Sequence, residues 1–285
     1  MPEPSLTVCV SCEGSTFVSK LGLVAMARMR PVLASPDTQA VSEVYDMLLS
    51  DPLDPLFNRA IKDVLDPPGS TFKLVVVSAA LSSGAFTPES TFPNPAVYTL
   101  PGTETTIRNH DGDTCGGGDV VSIADALRLS CNIPFAELGQ AIGTRAILAQ
   151  AMKFGFNSSV SVPLESTPSV YPRALDEPQT MLSAFGQSSV RASPLQMAMV
   201  SMAIANGGTL MKPNLVESIT APNLTVLQSL EPSVYGQAMS RETAAAITQM
   251  MVGSVSNGAA SNARIDGVDV AGKTGTAENG EGDPY

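Results

Sequence analysis

The apolar and polar positions along the chain predict mainly helices, with strands close to the C-terminal end. Residues 37–49 place apolar side chains at helical spacing, and Asp37 is positioned to cap the first turn. Residues 265–271 and 274–278 are predicted as strands, and residues 90–118, rich in Pro, Gly and Thr, as loops with short strands. Further helices are predicted over residues 70–81, 123–129, 133–142, 144–154, 193–205 and 240–255, with Ser122 and Ser240 positioned to cap the second and the last of these. The pattern indicates an α+β or mixed fold with one buried central helix.

The predicted central helix begins with a serine that a turn delivers to its first residues. The turn sequence Asp66-Pro67-Pro68-Gly69 comes directly before Ser70, and the run that follows is rich in Ala and Val. A hydroxyl at the N-terminus of a helix lies where the helix dipole favours an anion. The sequence therefore predicts that Ser70 is presented at the start of a buried helix.

The composition excludes several classes of function. A hydrophobic content of 44% and a charged content of 15% in 285 residues are typical of an ordered globular chain. The formal net charge of −11 argues against a nucleic-acid partner, because a phosphate backbone is bound by a basic surface. No run of about 18 apolar residues occurs, and the start Met1-Pro2-Glu3-Pro4 lacks the basic residues of a signal peptide. We therefore expect any export signal or membrane anchor to lie outside this sequence.

The cysteines and the single histidine do not form a recognisable metal site. The four cysteines are Cys9, Cys12, Cys115 and Cys131, and the first two have the Cys-x-x-Cys spacing of zinc and redox sites. No second Cys-x-x-Cys completes a four-thiolate site, and His110 alone cannot supply a pair of histidine ligands. We therefore predict neither a metal ion nor another cofactor.

Three short motifs that can carry chemistry occur once each, in the order Ser70-Thr71-Phe72-Lys73, Ser130-Cys131-Asn132 and Lys273-Thr274-Gly275. Residues three apart on a helix share a face, so the Lys73 amine can lie beside the Ser70 hydroxyl. Serine becomes a strong nucleophile when a base takes its proton, and lysine can be that base when burial and a nearby cation lower its pKa. Lys273 is the candidate cation. Each motif alone also fits a solvated lysine or an ordinary turn, so the interpretation depends on their joint occurrence.

The second motif and two backbone groups predict the rest of the catalytic machinery. Ser130 can relay a proton to a leaving group, and Asn132 can hold a substrate amide. The backbone N–H groups of Ser70 and Thr276 can form an oxyanion hole for a tetrahedral intermediate. We therefore predict Ser70, Lys73 and Ser130 as catalytic residues.

The third motif predicts a strand that binds an extended peptide. Lys273, Thr274 and Thr276 offer a cation and two hydroxyls to a carboxylate, and the strand edge can pair with a peptide backbone. Gly275 leaves room for that close approach. These four residues, with Asn132, are the predicted substrate-binding residues.

These motifs resemble those of the transpeptidase domain of class B (monofunctional) penicillin-binding proteins. Residues 67–73 (PPGSTFK) are similar to the nucleophile segment of that family, and residues 56–60 (LFNRA) to the lead-in before it. The family's later segments resemble residues 185–187 (FGQ), 193–198 (SPLQMA), 203–208 (AIANGG) and 271–278 (AGKTGTAE). The resemblance extends over residues 34–285, which are predicted to form the domain, and is strongest to the actinobacterial penicillin-binding protein A type.

The resemblance implies a fold and an activity. The implied fold is that of penicillin-binding proteins and serine β-lactamases, a helical subdomain beside an antiparallel sheet. The implied activity is peptidoglycan D,D-transpeptidation through an acyl-enzyme, and a non-catalytic penicillin-binding or sensor module and an inactive fragment are the alternatives. The Glu-x-x-Leu-Asn string of class A β-lactamases is absent between Asn132 and Lys273, which favours slow deacylation over β-lactam hydrolysis.

The resemblance also implies partners and a location. The implied partners are stem peptides ending in D-Ala-D-Ala, β-lactam antibiotics, and proteins of cell division or elongation. The implied location is the extracytoplasmic face of the cell membrane, with roles in cell division and cell shape. An extracytoplasmic domain can hold a disulfide, and a Cys115–Cys131 bond would fix the Ser130 segment, although two buried free thiols are the alternative.

Two departures from the family lead to a further expectation. Residues 1–33 are predicted to be a divergent N-terminal segment, because they lack the Asp-x-x-Thr-Gly hairpin typical of the family. The sequence ends nine residues after Thr276, where the family's sheet continues with further strands. We therefore expect a C-terminally truncated domain with an incomplete sheet and low activity, because lost edge strands expose backbone and apolar surface.

Overall fold

The computed structural model of the chain describes residues 7–12, 37–52, 54–61, 65–110, 112–160, 162, 164 and 166–277. The predicted boundary between residues 33 and 34 lies outside these residues, as does Glu278, the last residue of the predicted final strand. Within the described ranges, no helix is long and apolar enough to cross a membrane.

Helices make up most of the regular structure. They are α1 (Thr38–Ser50), α2 (Lys73–Ser82), α3 (Ile123–Arg128), α4 (Ile133–Lys153), α5 (Glu177–Ser183), α6 (Pro194–Ala205) and α7 (Arg241–Asn257). Every predicted helix is present, and the two predicted over residues 133–154 form α4 with a break at Gly143, whose φ of 76° is not helical. Among the α-helices of the described residues, α5 alone was not predicted, because its short sequence follows a Pro- and Ser-rich stretch.

Polar side chains begin the helices where the sequence predicted caps. Asp37, Ser122 and Ser240 each accept a hydrogen bond from a backbone N–H in the first turn of α1, α3 and α7. A cap of this kind stabilises a helix by about 1 kcal/mol, because it satisfies an N–H group that has no partner within the helix.

The strands form two-stranded pairs. They are β1 (Thr7–Cys12), β2 (Thr91–Pro93), β3 (Val97–Thr99), β4 (Thr106–Arg108), β5 (Val120–Ser122), β6 (Thr209–Met211), β7 (Ser218–Thr220), β8 (Val226–Ser229), β9 (Val234–Gln237) and β10 (Val270–Gly275). The pairs β2–β5, β3–β4, β6–β9 and β7–β8 are antiparallel, as expected for an α+β fold. The pair β1–β10 is parallel, with Val10 opposite Lys273.

The sequence placed the last strand incorrectly. Two strands were predicted on either side of Gly272-Lys273, but β10 runs through both residues without a break. Residues 265–268 instead form a tight turn closed by a single bridge between Ile265 and Val268. The glycine did not interrupt the strand because β10 is buried and paired along its length, which outweighs the weak intrinsic preference of glycine against strands.

Helix α2 lies at the centre of the core. Every residue from Lys73 to Ala80 is buried, and α2 packs on α4 and α7. A 3₁₀ turn, Gly69–Phe72, comes before it, and the Phe72 ring stacks on Tyr171 and meets Phe156 edge-on, each at 5.6 Å between ring centroids. A helix that is apolar on all sides is a core helix. This packing fixes the turn that carries Ser70.

Candidate active site

Lys73 is the centre of a hydrogen-bonded group at the start of α2. Its side chain is fully buried, and Nζ lies 3.0 Å from Ser70 Oγ, 2.8 Å from the backbone oxygen of Ser130 and 2.8 Å from Asn132 Oδ1. Burial, and then the positive charge of Lys273, lower the pKa of Lys73 well below its ordinary value. The low pKa favours a neutral amine, which is the form that can accept a proton.

The neighbours of Lys73 determine where a neutral amine directs its lone pair. Such an amine has two N–H groups and one lone pair. The Ser130 carbonyl and Asn132 Oδ1 are both acceptors, so they take the two N–H groups. The lone pair then faces the remaining neighbour, the Ser70 hydroxyl. Lys73 is therefore oriented to remove the proton of Ser70, which is the step that activates a serine nucleophile.

A second buried lysine reaches the same group from β10. Lys273 Nζ donates hydrogen bonds to Ser130 Oγ at 2.7 Å and to the Thr274 backbone oxygen at 2.9 Å. Burial lowers the pKa of Lys273 to about 7. Because Ser130 Oγ accepts from Lys273, its own O–H is directed elsewhere and can donate to a leaving group. Ser130 thus lies between the two lysines, bonded to Lys73 through its carbonyl and to Lys273 through its hydroxyl.

The other predicted substrate-binding residues follow Lys273 at the end of β10. Thr274 is half-buried, and its Oγ1 lies 3.4 Å from Lys273 Nζ. Gly275 is buried, whereas Thr276 is exposed just beyond the end of the strand. A cation and two hydroxyls therefore follow one another in sequence, as a carboxylate site requires.

Three backbone segments meet beside Ser70. Gly69, with a φ of 53°, donates its N–H to the Gly186 oxygen at 3.1 Å. A methyl group on Gly69 would overlap the backbone of Thr276, and one on Gly186 would overlap the backbone of Gly69. Neither position 69 nor position 186 therefore has room for a side chain, and glycine is the residue that fits at both. The close contact between Gly69 and Thr276 places Thr276 against the residue before Ser70. The two N–H groups predicted to form the oxyanion hole, those of Ser70 and Thr276, therefore lie on adjoining segments.

The Ser130 segment has a constrained backbone. Ser130 has a φ of 62°, a left-handed conformation that side chains other than glycine rarely adopt. Cys131, the next residue, is joined to Cys115 by a disulfide. Residues in unfavourable backbone conformations persist where surrounding contacts hold them, and such positions are typical of functional sites.

Comparison with known proteins decides the family. A family model described as the penicillin binding protein transpeptidase domain matches residues 27–285. The chain belongs to this penicillin-binding protein family. The resemblance found in the motifs is therefore confirmed.

Relatives of this penicillin-binding protein chain include named mycobacterial proteins. It is 38% identical over 277 residues to the peptidoglycan D,D-transpeptidase PbpA of Mycolicibacterium smegmatis, an alignment covering 94% of this chain and 56% of that protein. It is 36% identical over 279 residues to PbpA of Mycobacterium tuberculosis, covering 97% of this chain and 56% of that protein. The chain thus spans about half the length of these relatives.

Solved structures support the same family. The crystal structure of PBPA from M. tuberculosis matches with a TM-score of 0.79 at 35% identity, covering 88% of this chain and 56% of that one. Its ceftriaxone acyl-enzyme complex matches with a TM-score of 0.81 at 35% identity and the same coverage. The predicted α+β penicillin-binding protein fold is confirmed by these matches and by the helices and antiparallel strands described above.

The fold brings together the residues that the sequence singled out from three distant motifs. Ser70, Lys73, Ser130, Asn132 and Lys273 form one connected group of hydrogen bonds. Their catalytic and binding roles stay predictions, as do those of Thr274, Gly275 and Thr276.

Sequence reasoning missed several residues around this group. Gly186 was noted only within a family segment, and its contact with Gly69 joins residues far apart in sequence. The Phe135 ring lies with its centroid 5.5 Å from Lys73 Nζ, but a phenylalanine in an apolar helix gives no separate signal. Asn109, which accepts from the backbone N–H of Asn132, lies in a stretch that showed only loop composition.

The disulfide is expected to stabilise the chain measurably. Loss of the Cys115–Cys131 bond, which closes a loop of sequence separation 16, should lower the free energy of unfolding by about 3 kcal/mol. Denaturant unfolding of a Cys115→Ala/Cys131→Ala variant beside the wild-type chain measures this loss. Alkylation of the denatured, unreduced wild-type chain should leave Cys115 and Cys131 unmodified, and modification of both would show that the bond is absent.

Proposed function

We propose that this penicillin-binding protein domain is a peptidoglycan D,D-transpeptidase that works through an acyl-enzyme on Ser70. The observation that carries the proposal is the placement of Lys73 Nζ 3.0 Å from Ser70 Oγ, with carbonyl acceptors for its other two contacts. The names of the PbpA relatives support it. So do the structures of M. tuberculosis PBPA as acyl-enzymes with ceftriaxone, imipenem and penicillin G.

The proposed acylation follows from the contacts of Lys73 and Ser130. Lys73 takes the hydroxyl proton as Ser70 Oγ attacks the carbonyl carbon between the last two residues of a stem peptide. The backbone N–H groups of Ser70 and Thr276 stabilise the oxyanion. The carbon–nitrogen bond then breaks, and Ser130 gives its proton to the leaving D-alanine nitrogen while it receives the proton that Lys73 took from Ser70. In the next step the amine of a second stem peptide attacks the ester and gives up a proton to Lys73. The cross-link forms, and that proton returns to Ser70 Oγ as the serine is released.

The substrate contacts that we propose use Lys273, the hydroxyls that follow it in β10 and just beyond, and the Asn132 side chain. The terminal carboxylate of the donor peptide binds to the Lys273 ammonium and the hydroxyls of Thr274 and Thr276. Asn132 donates one N–H of its side chain to the Arg108 backbone oxygen and has a second N–H for a substrate carbonyl. A β-lactam carries the same carboxylate beside its reactive carbonyl, so it acylates Ser70 through the same contacts.

The broader biological setting is also a proposal. The mycobacterial relatives support a role in actinobacterial cell-wall synthesis, and a peptidoglycan substrate requires that the domain act outside the cytoplasm. We place it at the outer face of the cell membrane, with cell division and cell shape as the processes served. Cell-division or elongation proteins are the partners this role requires.

Labelling with a fluorescent penicillin tests the proposal. The chain should acquire one covalent label, and Ser70→Ala should acquire none, because it lacks the nucleophilic oxygen. Ser83→Ala, which removes an exposed serine at the end of α2, is the matched control and should label like the wild-type chain. An unlabelled wild-type chain would contradict acyl-enzyme chemistry.

A second assay separates the enzyme from a silent penicillin-binding module. Incubation with a stem peptide ending in D-Ala-D-Ala should release free D-alanine and, with an acceptor amine, form a new amide. A chain that is labelled by penicillin but releases no D-alanine would support the non-catalytic alternative. The rate of release also tests the expectation of low activity.

The two buried lysines predict a bell-shaped dependence of the acylation rate on pH. Lys73 must be neutral to accept the proton, so the rate rises as pH increases through its lowered pKa. Lys273 must be charged to bind the carboxylate, so the rate falls as pH passes its pKa of about 7. Arginine stays charged at all relevant pH values, so in Lys273→Arg the alkaline limb of the profile should move to higher pH. An alkaline limb that stays in place in this variant would show that another group titrates there.

The same pKa shift predicts how stability changes with pH. Above pH 7 the folded chain releases the Lys273 proton, whereas the unfolded chain keeps it up to the ordinary lysine value of 10.5. The unfolded chain therefore binds more protons in this interval, and the contribution of Lys273 to stability improves as pH rises through it.

A further inference from the structure

Asn109 holds the start of helix α4 through a fully bonded side-chain amide. Its Oδ1 accepts from the backbone N–H of Asn132 at 2.9 Å and of Ile133 at 3.1 Å. Its Nδ2 donates to the Asp113 oxygen at 3.2 Å and to Asn94 Oδ1 at 3.3 Å. The side chain is 4% exposed, so all four bonds that an amide can make are made away from solvent.

A second buried amide fixes the orientation of the first. Asn94 Nδ2 donates to the Cys115 oxygen at 2.7 Å and to the Gly118 oxygen at 2.8 Å. Its Oδ1 accepts from Cys115 N at 3.1 Å and from Asn109 Nδ2. Reversing either amide would bring nitrogen against N–H groups and oxygen against carbonyls. The pair therefore has one orientation, in which Asn109 presents its oxygen to α4.

This orientation determines how the Asn132 side chain faces Lys73. The backbone N–H of Asn132 donates to Asn109 Oδ1, and the side-chain Nδ2 of Asn132 donates to the backbone oxygen of the neighbouring residue, Arg108, at 3.0 Å. With Nδ2 bound there, Oδ1 is left to face Lys73 Nζ at 2.8 Å. Residues 108 and 109 thus form hydrogen bonds to both the backbone and the side chain of Asn132.

We propose that Asn109 is a positioning residue for the acylation of Ser70, acting through Asn132 and supported by Asn94. The inference rests on the proposed function. Asn109 touches neither Ser70 nor Lys73, and it keeps the Ser130–Asn132 segment where its two oxygens receive the N–H groups of Lys73. Without it, the strained backbone at Ser130 is free to relax, and the lone pair of Lys73 no longer faces Ser70. The disulfide at Cys131 anchors the same segment but leaves the Asn132 side chain free to turn.

The experiment measures acylation of the whole chain by a fluorescent penicillin at several concentrations, which separates initial binding from the acylation step. Asn109→Ala should lower the acylation rate constant about 10- to 100-fold, the size expected when reacting groups are misplaced by about 1 Å. The dissociation constant for initial binding should change by a smaller factor than the acylation rate constant, because Lys273, Thr274 and Thr276, the proposed carboxylate contacts, are intact. Gln150→Ala is the control: it removes another buried amide that bonds to backbone, outside this network, and should acylate at the wild-type rate.

A double-mutant comparison distinguishes positioning from general damage. If Asn109 acts through Asn132, then Asn109→Ala should slow acylation by a smaller factor in the Asn132→Ala chain than in the wild-type chain, because the Asn132 side chain is no longer there to be positioned. Effects that multiply, or a wild-type rate in Asn109→Ala, would overturn the inference. If Asn109→Ala fails to fold, Asn94→Ala is the substitute variant, because it keeps both hydrogen bonds from Asn109 to α4. It should lower the acylation rate constant by a smaller factor. An unchanged rate constant in Asn94→Ala would also overturn the inference. If the wild-type chain acquires no label, the proposed function itself is wrong. If the wild-type chain and Asn109→Ala are labelled at the same rate, the proposed function stands and the inference about Asn109 is wrong.

Discussion

Replacing Lys73 with methionine is expected to lower the acylation rate of Ser70 about 10³-fold, the typical contribution of a general base. Methionine is unbranched and close to lysine in length, so it can fill the fully buried position without a cavity. What it lacks is the amine that lies 3.0 Å from Ser70 Oγ. Time courses of penicillin labelling give the rate, and thermal unfolding of the same samples shows whether the variant is folded.

Two comparisons make this expectation specific. Lys153→Met removes an exposed lysine at the end of α4 and should leave the rate unchanged. Lys73→Arg keeps a cation but cannot release a proton near neutral pH, so it should be as slow as Lys73→Met if Lys73 acts as a base. A folded Lys73→Arg variant close to the wild-type rate would mean that the positive charge, and not the base, is what matters.

Replacing Gly186 with alanine should lower the free energy of unfolding by about 2–4 kcal/mol, combining a left-handed backbone with an overpacked contact. Gly186 has a φ of 80°, and a methyl group there would overlap the Gly69 backbone. Because Gly69 in turn lies against Thr276, the displacement should reach the two N–H groups predicted to form the oxyanion hole. The acylation rate should therefore fall even in samples that are fully folded, measured well below the unfolding midpoint.

Gly102 offers a matched control for this substitution. It has a φ of 69°, but a methyl group there would meet nothing within 4 Å. Gly102→Ala therefore tests backbone strain alone, which costs about 1–2 kcal/mol, and should acylate at the wild-type rate. Equal losses of stability in the two variants, with equal acylation rates, would show that the contact at Gly69 is unimportant.

Local relations in the candidate site could be predicted from the sequence, whereas long-range relations could not. Ser70 and Lys73 share a helix face, so their contact follows from spacing alone. Lys273 and Ser130 are 143 residues apart, and no pattern within either segment indicates that their side chains meet at 2.7 Å. Lys273 was predicted only as a cation near Lys73, and its contact with Ser130 was not predicted.

The fold shows the same division. Capped helices such as α1 and α7 were predicted closely, because Asp37 and Ser240 mark their starts. The strands β6 to β9 were missed, since segments of three or four residues carry too little alternation to distinguish them from loops. Asn109 was missed for a related reason: its four bonds join backbone groups and an amide, so no complementary charge or spacing in the sequence reveals them.

The junction of Gly69, Gly186 and Thr276 has a consequence for the order of folding. Its three segments come from the early, middle and late parts of the chain, so their contact closes very long loops. Contacts of such high sequence separation are slow to form and come late in folding. During synthesis, a polypeptide that has not yet emerged as far as Thr276 contains Ser70 and Lys73 but lacks one of the two N–H groups predicted to form the oxyanion hole. Penicillin therefore cannot acylate unfinished chains efficiently. The time at which a covalent label appears during synthesis marks the time at which the fold is complete.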